Sequence, residues 1–249
     1  MTDEEKILLR KENVRRLFRL TGDEFVREVL DKYRSEDPAP ASEICEQYDV
    51  STHELMGSRW YKIRAKGVVP RGKTEKILYL HGGGFVLETG AAEYLYAGYL
   101  SEHTGAEVWF PEYPLAPEKS CVEALKMVTE LYRMMLKETG SRAIAMMGSS
   151  AGGGVAVSSA MHFRETGLPM PNNLIRYSPA GELSLPETEE DKEYLAILEQ
   201  RDSMVSYLSV PTVAKLWRGS LGEGDYRWNP ICGDFHGLPP IFLFTGTGE

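Results

Sequence analysis

Two short runs in the sequence could together carry out acyl chemistry. Gly148-Ser149-Ser150-Ala151-Gly152 follows the apolar run Ile144 to Met147 and precedes a helix-compatible stretch, Val155 to Arg164. Strand, tight turn and helix form the context in which a G-x-S-x-G turn exposes its central serine. Here that serine is Ser150, at the apex of a strained turn where a Cβ at Gly148 or Gly152 would crowd the backbone. A tetrahedral intermediate of acyl transfer needs backbone N–H donors aimed at its oxyanion. The second run, His81-Gly82-Gly83-Gly84-Phe85, directly follows the apolar Ile77-Leu78-Tyr79-Leu80. Its glycines can present such donors because no side chain blocks the approach. The N–H of Ala151, next after the serine, supplies the other side. Either run alone is also compatible with a glycine-rich turn of no chemical consequence. A phosphate loop is disfavoured, because neither G-x-x-x-x-G-K-[ST] nor a complete G-x-G-x-x-G occurs.

These runs need strands to end at them and helices to leave them. Trp60 to Ala65 alternates like a strand, and Pro70 to Lys73 reads as a turn. Ala91 to His103 reads as a helix stopping near Gly105, and Glu107 to Phe110 as a strand. Ser120 to Lys137 is a long amphipathic helix closed by Gly140. Leu174 to Tyr177 and Ile241 to Phe244 read as further strands, the last of buried type. Strands alternating with helices imply an α/β fold: a mostly parallel sheet flanked by helices. In such sheets function collects beyond the carboxyl ends of the strands, and His81, Ser150 and Glu249 all follow strand ends.

Two stretches fall outside this alternation. Residues 1–56 read as amphipathic helices, punctuated at Thr21-Gly22-Asp23 and by a loop at Asp37-Pro38-Ala39-Pro40, with a short helix around Ser42 to Tyr48. Residues 186–224 are acidic and then helical. The expected division is an N-terminal helical cap segment over 1–56 and a core over 57–249 with a helical insertion at about 186–224.

Composition narrows the partners. A chain of 249 residues with net charge −9 suits one sizeable α/β domain, or one with a small appendage, and argues against nucleic acid or anionic membrane as a general partner. Cys45, Cys121 and Cys232 are odd in number and far apart, fitting neither a disulfide framework nor a zinc site. Reduced thiols in a cytoplasm are expected, since Met1 to Arg16 is charged and lacks an apolar leader core. No apolar run approaches a membrane span.

The order His81-Gly82-Gly83-Gly84-Phe85, then Tyr113-x-Leu115-Ala116-Pro117-Glu118, then Gly148-x-Ser150-Ala151-Gly152-Gly153 resembles the hormone-sensitive-lipase-like branch of the α/β-hydrolases, which are carboxylesterases and lipases. The resemblance extends from about Trp60 through Gly237-Leu238-Pro239-Pro240 to Glu249. It implies that Ser150 is the nucleophile and that Gly83, Gly84 and Ala151 form the oxyanion hole, with His81, Gly82, Gly148 and Gly152 supporting them. It implies a small-molecule ester of short-to-medium acyl length as substrate, no metal or organic cofactor, and cap segments that shape the acyl pocket. The triad acid falls at Glu249, in Gly246-Thr247-Gly248-Glu249, where glutamate would orient a histidine as aspartate does.

The sequence departs from the family's pattern in three places. Ser149 stands where an acid commonly precedes the nucleophile, and Pro114 stands where arginine is usual. The family order is Ser, acid, His, and no residue follows Glu249, so the resemblance implies a chain that stops before the triad histidine. None of the five histidines is expected to replace it. His81 belongs to the glycine loop, and His162 lies about 18 Å along the helix from Ser150 at 1.5 Å per residue. His236 precedes the last strand, His103 ends a flanking helix and His53 falls in the cap region. Three readings remain: an ester hydrolase, a hydrolase-fold binding protein that keeps the pocket without turnover, and a shortened product with no function of its own. Without a strand beyond Ile241 to Phe244, association of copies through that edge is also expected.

Overall fold

The alternation after Ser58 closes into a sheet with helices on both faces. The computed structural model describes residues 3–34, 40, 42–69, 72–184, 188–202 and 206–246. Its elements, in chain order, are α1 (Asp3–Phe18), α2 (Gly22–Lys32), α3 (Ser42–Gln47), β1 (Tyr48–Leu55), β2 (Ser58–Ala65), β3 (Lys76–Leu80), α4 (Ala91–Thr104), β4 (Glu107–Pro111), α5 (Cys121–Glu138), β5 (Ile144–Ser149), α6 (Ala151–Glu165), β6 (Asn173–Tyr177), α7 (Glu189–Arg201), α8 (Val210–Arg218) and β7 (Ile241–Phe244). The sheet order is β1-β2-β4-β3-β5-β6-β7. β1 and β2 run antiparallel to each other, β2 runs antiparallel to β4, and every later pairing is parallel. Register aligns Leu80 with Gly148. The two strands preceding the candidate loops therefore end side by side.

Local chemistry explains the element ends. Ser120 caps α5, accepting from the Val122 N–H, while Glu123 accepts from the Ser120 N–H at 2.9 Å. α4 stops at Gly105, whose φ of 74° suits glycine. β3 is buried at all five residues, as expected of a central parallel strand. α6 is buried from Ala151 through Met161, which accounts for its small, apolar composition. One core packs α5, α6 and the cap helices against the sheet through Trp109, Tyr132, Met146 and Phe163. The other packs α4 against the opposite face through Tyr61, Tyr79, Tyr94 and Phe110.

The N-terminal helices and the 188–218 segment meet each other. The Arg15 guanidinium donates to the carbonyls of Glu199, at 2.8 Å, and Asp202. The Gly22 N–H donates to Thr212 Oγ1 at 2.9 Å. Leu17, Phe18, Phe25 and Trp217 carry this contact into the main core.

Two expectations need correction. Residues 48–55, expected in the helical cap segment, form β1, an edge strand of the sheet. Its polar alternation, with neither face buried, hides the strand from a hydrophobic pattern. Ile241 to Phe244 is a strand, but all four residues are exposed rather than buried, because an apolar run does not itself dictate what covers it. The expected Asp37-Pro38-Ala39 and Pro70-Arg71 turns, and residues 247–249, lie outside the described residues.

Candidate active site

Ser150 is the single residue between the end of β5 and the start of α6. Its φ of 48° and ψ of −119° lie outside the regions ordinary residues occupy, at a cost of about 1–3 kcal/mol. Three backbone hydrogen bonds hold it there. The Ser150 N–H donates to the Tyr177 carbonyl at 2.8 Å, and its own carbonyl accepts from Gly153 and Ala180, each at 2.9 Å. The glycines are sterically required. A Cβ on Gly148 would overlap the Gly152 carbonyl, and one on Gly152 would overlap the Leu80 carbonyl.

The glycine loop lies against this turn. A Cβ on Gly82 would sit 3.3 Å from Ser150 Cβ and 3.5 Å from Ser149 Oγ. Gly83, Gly84 and Phe85 have φ of 121°, 59° and 63°, three consecutive left-handed residues. Phe85 does this without being glycine, at a cost of about 1–2 kcal/mol. The Leu87 N–H closes the turn onto the Gly83 carbonyl at 2.8 Å. Among the described residues the N–H groups of Gly83, Gly84 and Ala151 have no acceptor. Ala151 opens α6, where the helix presents unpaired N–H groups and partial positive charge. Free amides beside an exposed-capable hydroxyl can stabilise an oxyanion formed at Ser150.

His81 braces the loop from behind. Its ring stacks on Tyr113 at 4.4 Å, and Nδ1 lies 2.6 Å from the Gly82 carbonyl oxygen. A carbonyl only accepts, so Nδ1 carries the proton. The Tyr113 hydroxyl donates to the His81 carbonyl at 2.8 Å. Burial pushes the imidazole below its ordinary value of 6.5, which keeps it neutral. Behind the loop a cleft of about 320 Å³ is lined by Arg34, Arg59, His81, Glu112, Tyr113 and Glu118. Glu112 accepts from the Tyr61 and Tyr94 hydroxyls, yet burial raises its carboxyl above the ordinary value.

Three residues from other elements pack against this loop and belong to no motif. A Cβ on Gly84 would collide with the Phe18 ring, and Trp217 stacks on Phe85 at 4.5 Å. Arg34 donates to the carbonyls of Val86 and Ala116 and pairs with Glu118. Burial acts to raise the Glu118 carboxyl, but the Arg34 hydrogen bonds outweigh it and hold it below its ordinary value. Phe18 and Trp217 sit on recognisable apolar helix faces. Arg34 follows α2 with no local signal at all.

The remaining expected residues are not brought together. Glu249 lies outside the described residues. The His53 ring stacks on Trp60 at 4.4 Å on the sheet's antiparallel edge. His103 is exposed and packs on Tyr99. His162 is near the far end of α6, and His236 is exposed before β7. Among the described residues no group of three His, Cys, Asp or Glu side chains could hold a metal ion. No helix among them is long and apolar enough to cross a membrane.

Comparison with known proteins agrees with this architecture. An esterase of Acinetobacter venetianus is 27% identical over 197 residues, covering 78% of this chain and 62% of its own length. A triacylglycerol lipase of Mycobacterium tuberculosis is 25% identical over 176 residues, covering 70% of this chain and 34% of its own. The chain thus spans less than two thirds of either relative. The solved structure of a hormone-sensitive lipase from a metagenome library superposes with a TM-score of 0.71 at 27% identity, over 85% of this chain and 68% of that one. Residues 77–249 match the alpha/beta hydrolase fold family. With the Ser150 turn and the glycine loop at adjacent strand ends, the chain belongs to the alpha/beta hydrolase fold family, in its hormone-sensitive-lipase-like branch.

Proposed function

We propose that the protein hydrolyses carboxylic esters of short-to-medium acyl length through a Ser150 acyl-enzyme. The observation that carries this reading is the strained Ser150 lying against Gly82, with the amides of Gly83, Gly84 and Ala151 unclaimed nearby. The relatives named esterase and triacylglycerol lipase support the same chemistry. Ser150 Oγ attacks the ester carbonyl as its proton passes to a general base. The three amides take the charge that develops on oxygen, and collapse expels the alcohol. Water then releases the acid by the same steps. No cofactor takes part. Glu249 orients the base, a histidine that is not among the five in this sequence. The cap, residues 1–47 with the insertion at about 186–224, shapes the acyl pocket. The protein works in the cytoplasm, and copies associate through β7.

The positions of the five histidines also favour a second reading, in which the fold binds an ester-like ligand without turning it over. Hydrolysis of a short p-nitrophenyl ester by the 249-residue chain, purified free of host esterases, separates the two. The expected rate is low, because a neutral serine is a weak nucleophile without its base. A residue of about 10³–10⁴-fold over water can survive loss of one triad member. That remainder comes from the oxyanion hole and binding, so Ser150→Ala should change it little, whereas appending a family-like C-terminal segment with its histidine raises kcat by several orders of magnitude and Ser150→Ala then abolishes the gain. Unchanged hydrolysis by Ser150→Ala in the histidine-carrying chain, with Ser149→Ala inactive, would move the nucleophile. Ligand binding with no turnover even after the histidine segment is added would establish the binding reading.

A further inference from the structure

We infer that Arg34 is the positioning residue of the oxyanion turn, clamping residues 83–87 from the cap. The catalytic part of this inference rests on the ester-hydrolase reading, whereas the clamp itself does not. The turn holds three consecutive left-handed residues, Gly83, Gly84 and Phe85. Glycine adopts such angles freely, but Phe85 does not, so the surroundings must help to hold the run at that residue. Phe18 blocks one side at Gly84, and Trp217 covers the ring of Phe85. These are apolar contacts, and they fix no angle about the peptide planes. Arg34 does.

A guanidinium has five N–H groups in a rigid plane, and all five are used here. Nε donates to Glu118 Oε1 at 2.9 Å, and Nη2 to Glu118 Oε2 at 2.9 Å. Nη2 also donates to the Ala116 carbonyl at 2.6 Å. Nη1 donates to the carbonyls of Tyr33, at 3.2 Å, and Val86. The Ala116 N–H meanwhile donates to the Phe85 carbonyl at 2.9 Å. Arg34 therefore completes a closed ring of hydrogen bonds through Val86, Phe85 and Ala116. That ring fixes the oxyanion turn against the 113–118 loop. The carbonyl of Val86 lies two residues beyond Gly84, so turning it would rotate the amides proposed to meet the oxyanion. A lysine, with three donors around one nitrogen, cannot complete both the bidentate pair and two separate carbonyl bonds.

The test compares Arg34→Ala and Arg34→Lys with Arg16→Ala, which removes a charge that pairs with Glu28 and with no other acid among the described residues. Amide hydrogen exchange on the intact chain is the first measurement. Exchange should accelerate in the 83–87 and 113–118 segments for both Arg34 variants and stay unchanged there for Arg16→Ala. Unchanged exchange at 83–87, or a uniform rise across the whole chain, overturns the clamp. Ester hydrolysis by the chain carrying the appended histidine segment, taken above its Ser150→Ala background, is the second. A misplaced oxyanion turn should lower kcat by about 10–100-fold with KM held within a few-fold. A raised KM with kcat unchanged, or full activity in Arg34→Lys, overturns the positioning role. Hydrolysis undiminished by Ser150→Ala in that chain overturns the nucleophile assignment instead, and the exchange result still decides the clamp.

Discussion

His81 shows how one side chain of the glycine loop makes the fold sensitive to pH. Folded, its imidazole is buried and held neutral, with its titration displaced below 6.5. Unfolded, it takes up a proton as pH falls through about 6.5. Between those two values the unfolded chain binds more protons, so stability is full above 6.5 and declines as pH drops. The slope from one such group is at most about 1.4 kcal/mol per pH unit. His162 is displaced the same way by partial burial and adds to the decline. Urea midpoints measured from pH 7 to 5 should therefore fall, and His81→Asn should flatten the curve. Parallel curves for the two proteins would mean that His81 titrates normally in the folded state. The turn geometry at Gly148, Ser150 and Gly152 was legible in the sequence because it is set within a few residues. A tight turn after a strand forbids side chains at those glycines whatever the rest of the chain does. Arg34, Phe18 and Trp217 were not legible as site residues, since each acts on a loop more than fifty residues away in sequence.

The joint between β6 and α6 contains a cation that the strand pattern does not explain. Arg176 is buried in the middle of β6, displaced below its ordinary titration range by burial. Its Nε donates to the Gly153 carbonyl at 3.1 Å, but Nη2 is buried without a partner, and no carboxylate pairs with it among the described residues. A buried charge satisfied this poorly costs more than its one hydrogen bond returns, and apolar replacement of such groups is often stabilising by about 1–4 kcal/mol. Arg176→Met should raise Tm, by about 2–4 °C for each kcal/mol gained in a chain of this size. A lower Tm for Arg176→Met would instead mean that the Gly153 hydrogen bond and the packing of the side chain outweigh the cost of burying its charge. The same scale explains what the sequence revealed about elements. β3, β4 and β5 were recognisable because central parallel strands are buried on both faces and read as apolar runs. β1 was hidden because it pairs only with β2 at the edge and exposes polar side chains such as Asp49, Ser51 and Glu54.

At the scale of the whole molecule, the two ends of the sheet differ. The β1 edge is polar, whereas β7 carries Ile241, Phe242, Leu243 and Phe244 at 36 to 58% exposure. β7 pairs with β6 along one side, and no strand covers its other side among the described residues. Tyr177, stacked with Phe244, extends the apolar surface at 52% exposure. The usual protections of an edge are missing: the strand contains no lysine, no proline and no charge. A bare row of N–H and C=O groups flanked by aromatic side chains is a template for another strand of the same kind. Net charge of −9 opposes association, but only within a Debye length of about 8 Å at physiological salt, and β7 itself is uncharged. Copies of this chain should therefore pair through β7, and a two-fold arrangement closes the contact without further growth. Light scattering across a concentration series should show the mass rising above that of one chain. The amides of Ile241 and Leu243, which face away from β6, should become protected over the same range. Leu243→Lys places a desolvated charge in the contact and should return the protein to single chains with β6 and β5 undisturbed. A single-chain mass at the highest concentration, with the Ile241 and Leu243 amides exchanging freely, would show that this edge stays unpaired. Its apolar residues would then have to be kept in solution by the charge of the surrounding surface alone.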